Sequence, residues 1–125
     1  MVGIKRVEIK DLDSARKEIE RIGCDPKSVD IMAPKAVFMT LILDGIHPID
    51  AVIIKQDMLS IGGEVAIPRD VFDRKSNCTI LVMGTLKQLR ELVEKLYRHH
   101  HRIRVVAKEL ERFLEVEYEG SEDRK

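Results

Sequence analysis

Two stretches decide the fold of this chain: Ile53–Arg69, I-I-K-Q-D-M-L-S-I-G-G-E-V-A-I-P-R, and Met83–Leu96, M-G-T-L-K-Q-L-R-E-L-V-E-K-L. Each sets a Lys-Gln pair on a predicted helix beside a turn marked by glycine. The chain contains two glutamines, Gln56 and Gln88, and both follow a lysine. The two stretches therefore predict helices and strands that gather polar groups beside an apolar core.

Working outward, four short segments carry the apolar patterns of β-strands. They are Ile4–Ile9, Ala36–Leu43, Glu64–Pro68 and Cys78–Met83. No long helix separates the last two strands, so we expect a mixed sheet rather than a fully parallel one.

Helical stripes lie between and after the strands. The predicted helices begin at Asp11, Pro48, Thr85 and near Ile103, and Ser28–Met32 is expected to add a helical turn. Thr85 and Gln88 form a Thr-x-x-Gln capping box. The sequence thus predicts one compact α/β domain (α+β is the alternative) over residues 1–119, with about four strands and four helices. Residues 120–125 are expected to form a flexible tail.

Two of these elements are apolar nearly all round. Ala36–Leu43 has the pattern of a central strand covered on both faces, or of a strand at a subunit interface. The helix Pro48–Ile61 has the pattern of a helix buried in its own domain or against another chain. Together they present more apolar surface than a small monomer covers easily, so we expect a homo-oligomer.

Composition excludes several classes of protein. Of the 125 residues, 22 are Lys or Arg and 22 are Asp or Glu, and this balance argues against a nucleic-acid or membrane-surface binder. The longest apolar run, Ala36–Leu43, is far below the ~20 residues of a membrane span. Few amides and many charged residues are typical of thermophile proteins. We expect a cytoplasmic protein that folds without a cofactor.

The strand-to-helix turn at Gly84-Thr85 is one candidate ligand site. A glycine followed by a helix N-terminus directs backbone N–H groups at the turn and can bind a phosphate or carboxylate. The alternative is that Thr85 and Gln88 use those donors internally. Gly62-Gly63 is interpreted as a helix C-cap.

Three polar residues of the first stretch are the other candidates. Lys55 could reach solvent, pair with Asp57 or Asp50, or face a cleft. Gln56 needs partners for both ends of its amide, either on a strand edge or on a ligand. Arg69 is the nearest candidate anion partner, and is equally consistent with a surface salt bridge. The ligand-binding candidates are therefore Lys55, Gln56, Arg69, Gly84 and Thr85.

Other chemistry finds little support in the sequence. Consecutive histidines such as His99–His101 cannot all face one point on a regular helix, so we predict no metal site and expect a basic, pH-responsive connection there. The two cysteines form no Cys-x-x-Cys pair, and no nucleophile motif is present. No catalytic residue can be named.

Three blocks carry a family resemblance. They are Ile31-Met32-Ala33-Pro34-Lys35-Ala36, the run from Lys55-Gln56 to Ala66, and Met83-Gly84-Thr85-Leu86-Lys87-Gln88. In this order they resemble the N-terminal extension of long-form dihydropteroate synthases and related archaeal stand-alone proteins, over roughly residues 6–114. That enzyme's pterin and p-aminobenzoate sites belong to a (β/α)₈ barrel, which needs at least ~200 residues. None of the barrel's motifs is present here.

The resemblance implies a non-catalytic accessory or ligand-binding module linked to pterin or folate metabolism. A small anionic or pterin-like molecule would be its ligand. One alternative is a small enzyme of pterin or one-carbon metabolism that uses Lys55 as a base or Schiff-base amine. Another is a subunit that docks on a separate synthase barrel.

Overall fold

A computed structural model describes residues 1–119, with side chains as far as Glu117. The elements in chain order are α1 (Leu12–Glu20), α2 (Pro26–Ala36), β1 (Phe38–Ile46), α3 (Pro48–Ile61), β2 (Glu64–Ala66), β3 (Cys78–Thr85), α4 (Leu86–Leu96) and α5 (His101–Leu114). A π-helical turn, Glu115–Glu119, continues α5. The described chain is thus an α/β or α+β fold with five α-helices and three strands, close to the expected four of each. The predicted tail at 120–125 lies outside the described residues.

The sheet is antiparallel throughout its described strands, so the expectation of a mixed sheet was wrong. Its order is β1-β3-β2, and β3 pairs with both neighbours. β1, α3 and β2 form a crossover unit whose two strands run in the same direction, but β3 lies between them. β1 and β2 are therefore parallel to each other, but they are not hydrogen-bonded to each other.

β1 lies at an edge of the sheet, so the central position expected for Ala36–Leu43 was wrong, while its alternative, a strand at a subunit interface, stays a prediction. It pairs along one side with β3, and its outward face is open, with Phe38 and Ile42 62% and 67% exposed. β1 is apolar on both faces, but only one face packs into the core of its own domain and the other is exposed. Ser28–Met32, expected to be a single turn, is part of the three-turn helix α2.

Ile4–Ile9 forms no strand. Residues 1–10 belong to no helix or strand, and all of them are exposed except the partly buried Ile9. Alternating apolar residues express only a local preference, because a strand also needs a sheet edge to pair its backbone groups. Within its own chain, this segment is not paired with such an edge.

The core lies between the inner face of the sheet and the helices. Its largest buried side chains come from α3, the central strand β3, α4 and α5: Ile54, Met58, Ile80, Leu86, Leu89, Leu92, Leu96 and Ile103. α3 buries Ala51, Ile54 and Met58 but leaves Ile49 and Leu59 exposed. No helix among the described residues is long and apolar enough to cross a membrane.

The capping box before α4 is confirmed. Thr85 Oγ1 accepts from Gln88 N at 3.1 Å, and Gln88 Oε1 accepts from Thr85 N at 2.9 Å. We predict that Thr85→Val, which keeps the shape but loses the acceptor, lowers the free energy of unfolding by about 1 kcal/mol. Thr85→Ser keeps the oxygen and should lose much less. Urea unfolding of both variants at one protein concentration checks this, and equal losses would contradict the capping role.

Candidate functional site

Lys55 is tied to the neighbouring strand. Its Nζ donates to Glu64 Oε1 at 2.9 Å and to the carbonyl of Val65 at 2.6 Å, and so bridges α3 and β2. The hydrogen bond from Lys55 lowers the pKa of the Glu64 carboxyl below its usual value. As the structure stands, the ammonium group has anionic and carbonyl partners rather than a position in an apolar pocket.

Gly84 lies close against the buried side chain of Met58. A Cβ added at Gly84 would come within 2.3 Å of Met58 Cε and 3.0 Å of Gln88 Oε1. A Cβ at Gly63, just before the β2 residue that pairs with Met83, would come within 2.4 Å of the same methyl group. The two glycines therefore form a slot that holds the Met58 side chain.

The backbone donors at this turn have internal partners. Thr85 N and Gln88 N belong to the capping box, and Leu86 N donates to the carbonyl of Val37 at 2.8 Å. Gln88, the second glutamine, thus has a structural role as the reciprocal cap of α4. This is the internal use of the donors that the sequence left as an alternative to anion binding.

Gln56 and Arg69, the two remaining candidates, both lie exposed. Among the described residues, no hydrogen bond or ion pair joins any two of the five candidate residues. The structure brings Gly84 and Thr85 together and places Lys55 on the β2 side of α3. Whether any of the five binds a ligand stays a prediction.

A buried charge that the sequence reading missed joins α3 to α5. The Asp50 carboxylate, only 1% exposed, accepts from Arg102 Nε at 2.5 Å and from Arg102 Nη2 at 2.8 Å. His100 Nε2 lies 3.4 Å from the same carboxylate. The Asp50 hydrogen bonds raise the pKa of Arg102. Asp50 was noted only as a pairing option for Lys55; its position in the first turn of an apolar helix was the available signal.

The histidine run has partners along α3. His99 Nε2 lies 2.8 Å from Asp57 Oδ2. His100 Nε2 lies near Asp50, which is about two helical turns before Asp57 on α3. The α4–α5 connection is therefore fastened to α3 by two carboxylate–imidazole contacts. No group of three or more metal-ligating side chains occurs in residues 1–119.

A cleft opens beside this buried pair. It has a volume of about 450 Å³ and lies where β1 ends and α5 begins. Its polar lining comes from His47, Asn77, His101, Asp50 and Arg102. Arg102 is about half exposed while Asp50 is buried, so the guanidinium is the member of the pair that solvent reaches. α5 has no side-chain hydrogen bond at its N-cap, in contrast to α4.

A second concave surface, which we call the β1 groove, continues from the cleft. It has a volume of about 430 Å³ and runs along Leu41–Ile46 of β1 and along α5. From α5 it is lined by Val105, Val106, Glu109, Leu110 and Phe113. Six consecutive strand residues can line one groove only along the strand's edge, because successive side chains point to opposite faces. The β1 groove therefore lies along the unpaired edge of β1.

Comparison with known proteins gives one distant relative. The chain is 25% identical over 105 residues to the bifunctional dihydropteroate synthase/dihydropteroate reductase of Helicobacter pylori (strain ATCC 700392 / 26695). The similarity covers 83% of this chain but 28% of that protein, so the chain spans little more than a quarter of its relative's length. No family model matches the chain. No solved structure matches it.

Proposed function

We propose that the chain is a non-catalytic, self-associating binding module of pterin or folate metabolism. The distant similarity to a bifunctional dihydropteroate synthase/dihydropteroate reductase supports the metabolic link. Because the chain corresponds to 28% of that protein, a role as a module that accompanies a catalytic unit fits better than the whole activity. Its ligand would be a small anionic or pterin-like molecule.

The observation that carries the ligand-binding role is the cleft at the start of α5. Its volume of about 450 Å³ lies within the range of small-molecule sites, roughly 300–1,000 Å³. His101 and Arg102 offer flat, donor-rich groups that can stack on a planar ring and bind an anionic substituent. Ile46 and Val106 supply apolar walls. Lys55, by contrast, already donates hydrogen bonds to Glu64 and Val65, which favours a binding role over catalysis by Lys55.

A thermal-shift screen against pterins, folates, p-aminobenzoate, nucleotides and phosphate tests this function. A true ligand at about 100 times its Kd should raise Tm by about 10 °C. We expect His101→Ala and Asn77→Ala to lose the shift, because both residues line the cleft. Arg104→Ala, a neighbouring exposed cation outside the cleft, is the matched control and should keep it.

The same screen separates the two candidate sites. Loss of the shift in Lys55→Met or Thr85→Val, with His101→Ala unaffected, would move the ligand to the Lys55–Thr85 region. No shift with any compound would overturn ligand binding. A catalysed change in any compound, lost in Lys55→Met, would overturn the non-catalytic role.

A further inference from the structure

We propose that residues 2–7 of one copy pair with the β1 groove of a second copy as an added strand, so that two chains exchange their N-terminal segments. We call residues 2–7 the arm. This inference rests on the self-association in the proposed function and names the surface that makes it. The sheet of each copy would then contain four strands, the fourth supplied by its partner.

The β1 edge is an unusually open template for such pairing. β1 is the longest strand, with nine residues, and it pairs with β3 along one side only. Edge strands are normally protected by lysines, prolines or bulges along their length. Phe38–Leu43 contains none of these and keeps a regular register with β3; the irregularity lies between Leu43 and Ile46, in the second half of the groove, so Leu41–Leu43 is the regular part that lines it. An extended segment that binds here would satisfy the edge backbone groups.

The arm has the side chains that the β1 groove requires. Val2 and Ile4, two residues apart, would place both side chains on one face of a strand, and they are 90% and 96% exposed in their own chain. The groove offers the partly exposed apolar side chains of Val105 and Phe113 to such a face. Six extended residues span ~20 Å, which matches the six strand residues that line the groove.

The charges are complementary. The charged residues that line the β1 groove are Asp44 and Glu109, both acidic. The arm carries Lys5 and Arg6 and no acidic residue. An arm in the groove would therefore bring cations to two carboxylates, whereas a β1 edge paired with another β1 edge would offer no cation from either strand.

The place where the arm joins the domain favours binding to the groove of a second copy over binding to the groove of its own chain. Ile9 packs against the core and α1 packs mainly on α2, so the arm leaves the domain beside α2. The β1 groove is bounded instead by β1 and α5. No hydrogen bond or ion pair in the described part of the chain involves residues 2–7.

Light scattering of the full chain over a concentration series is the first test. We expect a dimer, and we expect Ile4→Glu to raise its Kd about tenfold or more, since it puts a carboxylate into an acidic, apolar groove. Ile22→Glu, an equally exposed isoleucine outside arm and groove, should leave the dimer unchanged. Glu109→Lys and Arg6→Glu should each weaken the dimer, and the two combined should restore it.

Disulfide trapping decides between exchange and closure. Ile4→Cys and Phe113→Cys are placed on separate chains, each with Cys24→Ser, and mixed under oxidation. A covalent heterodimer supports the exchange. If the doubly substituted chain closes on itself as a monomer instead, the exchange is overturned. If the Ile4→Glu variant still forms the dimer, the arm exchange is overturned but self-association is not. If the unaltered chain is a monomer, both the arm exchange and self-association are overturned. The ligand screen does not depend on either result.

Discussion

Gly84→Ala should destabilise the fold by about 1–3 kcal/mol, although alanine is ordinarily the better residue in a strand. The added methyl would lie 2.3 Å from Met58 Cε. A methionine end can usually move away from such a contact, but Met58 also lies close against the neighbouring Gly63, where a Cβ would come within 2.4 Å of the same methyl group. Because Met58 is fully buried, the clash has to be absorbed by the sheet or by α3. Urea unfolding at fixed protein concentration measures the loss.

A double-mutant cycle identifies the slot as the cause. Met58→Ala alone should cost about 2–5 kcal/mol, because it leaves a buried cavity next to the two glycines. In that background Gly84→Ala should cost almost nothing, since its methyl enters the vacated space, and the coupling energy should reach about 1–3 kcal/mol. Gly3→Ala, whose methyl would meet nothing within 4 Å, is the control. Additive losses would mean that the glycine is required for some other reason, such as the 3.0 Å approach of an added Cβ to Gln88 Oε1.

The slot shows how far the sequence determines this fold. The ends of α3 and α4 follow from local chemistry: Gly62 closes α3 with a φ of 103°, and the Thr85–Gln88 box opens α4. Both were predictable because helix caps depend on residues within one turn. That Gly63 and Gly84 lie close against the same methionine was not predictable, since it depends on how α3 lies across the sheet.

Strand placement failed for a related reason. Local pattern located the residues of β1, β2 and β3 to within a few positions but could not tell an edge from a centre. The apolar outer face of β1 was expected to be covered by the same domain or by another chain, and its own domain leaves Ile42 exposed. Ile4–Ile9 has the composition of a strand and lacks a partner in its own chain. Pairing is a property of the assembled sheet, and period-2 alternation carries no information on the partner.

The cleft beside Asp50 and Arg102 was not predicted from the sequence. Rare glutamines drew attention to Gln56 and Gln88, but Gln88 is the cap of α4 and Gln56 is exposed. The residues that line the cleft, among them Asn77 and His101, lie 24 positions apart in sequence. No spacing rule connects such residues, because the loop before β3 and the start of α5 meet only in the folded chain.

Arg102→Met should lower stability more than Asp50→Asn does, although the two changes remove the same bidentate pair. Arg102 is about half exposed and can turn to solvent when its partner is lost, whereas Asp50 is 1% exposed and cannot. We expect Asp50→Asn to cost about 1–3 kcal/mol, because the amide nitrogen faces guanidinium donors. Arg102→Met leaves a buried carboxylate with only the 3.4 Å contact from His100, so its loss should be the larger.

The combined variant Asp50→Leu with Arg102→Met shows whether the pair stabilises the fold or only avoids an unpaired charge. A buried ion pair replaced by apolar side chains of similar volume is often neutral or favourable, since desolvation offsets the attraction. We therefore expect the combined variant to recover most of the stability that Arg102→Met loses, measured by urea unfolding. Lys87→Ala, which breaks the exposed Lys87–Glu91 pair on α4, should change stability by no more than about 0.5 kcal/mol. If Asp50→Asn cost more than Arg102→Met, the arginine and not the aspartate would be the group that the fold has to neutralise. Recovery of stability with loss of the ligand-induced Tm shift would instead indicate that the charge pair is kept for the cleft beside it.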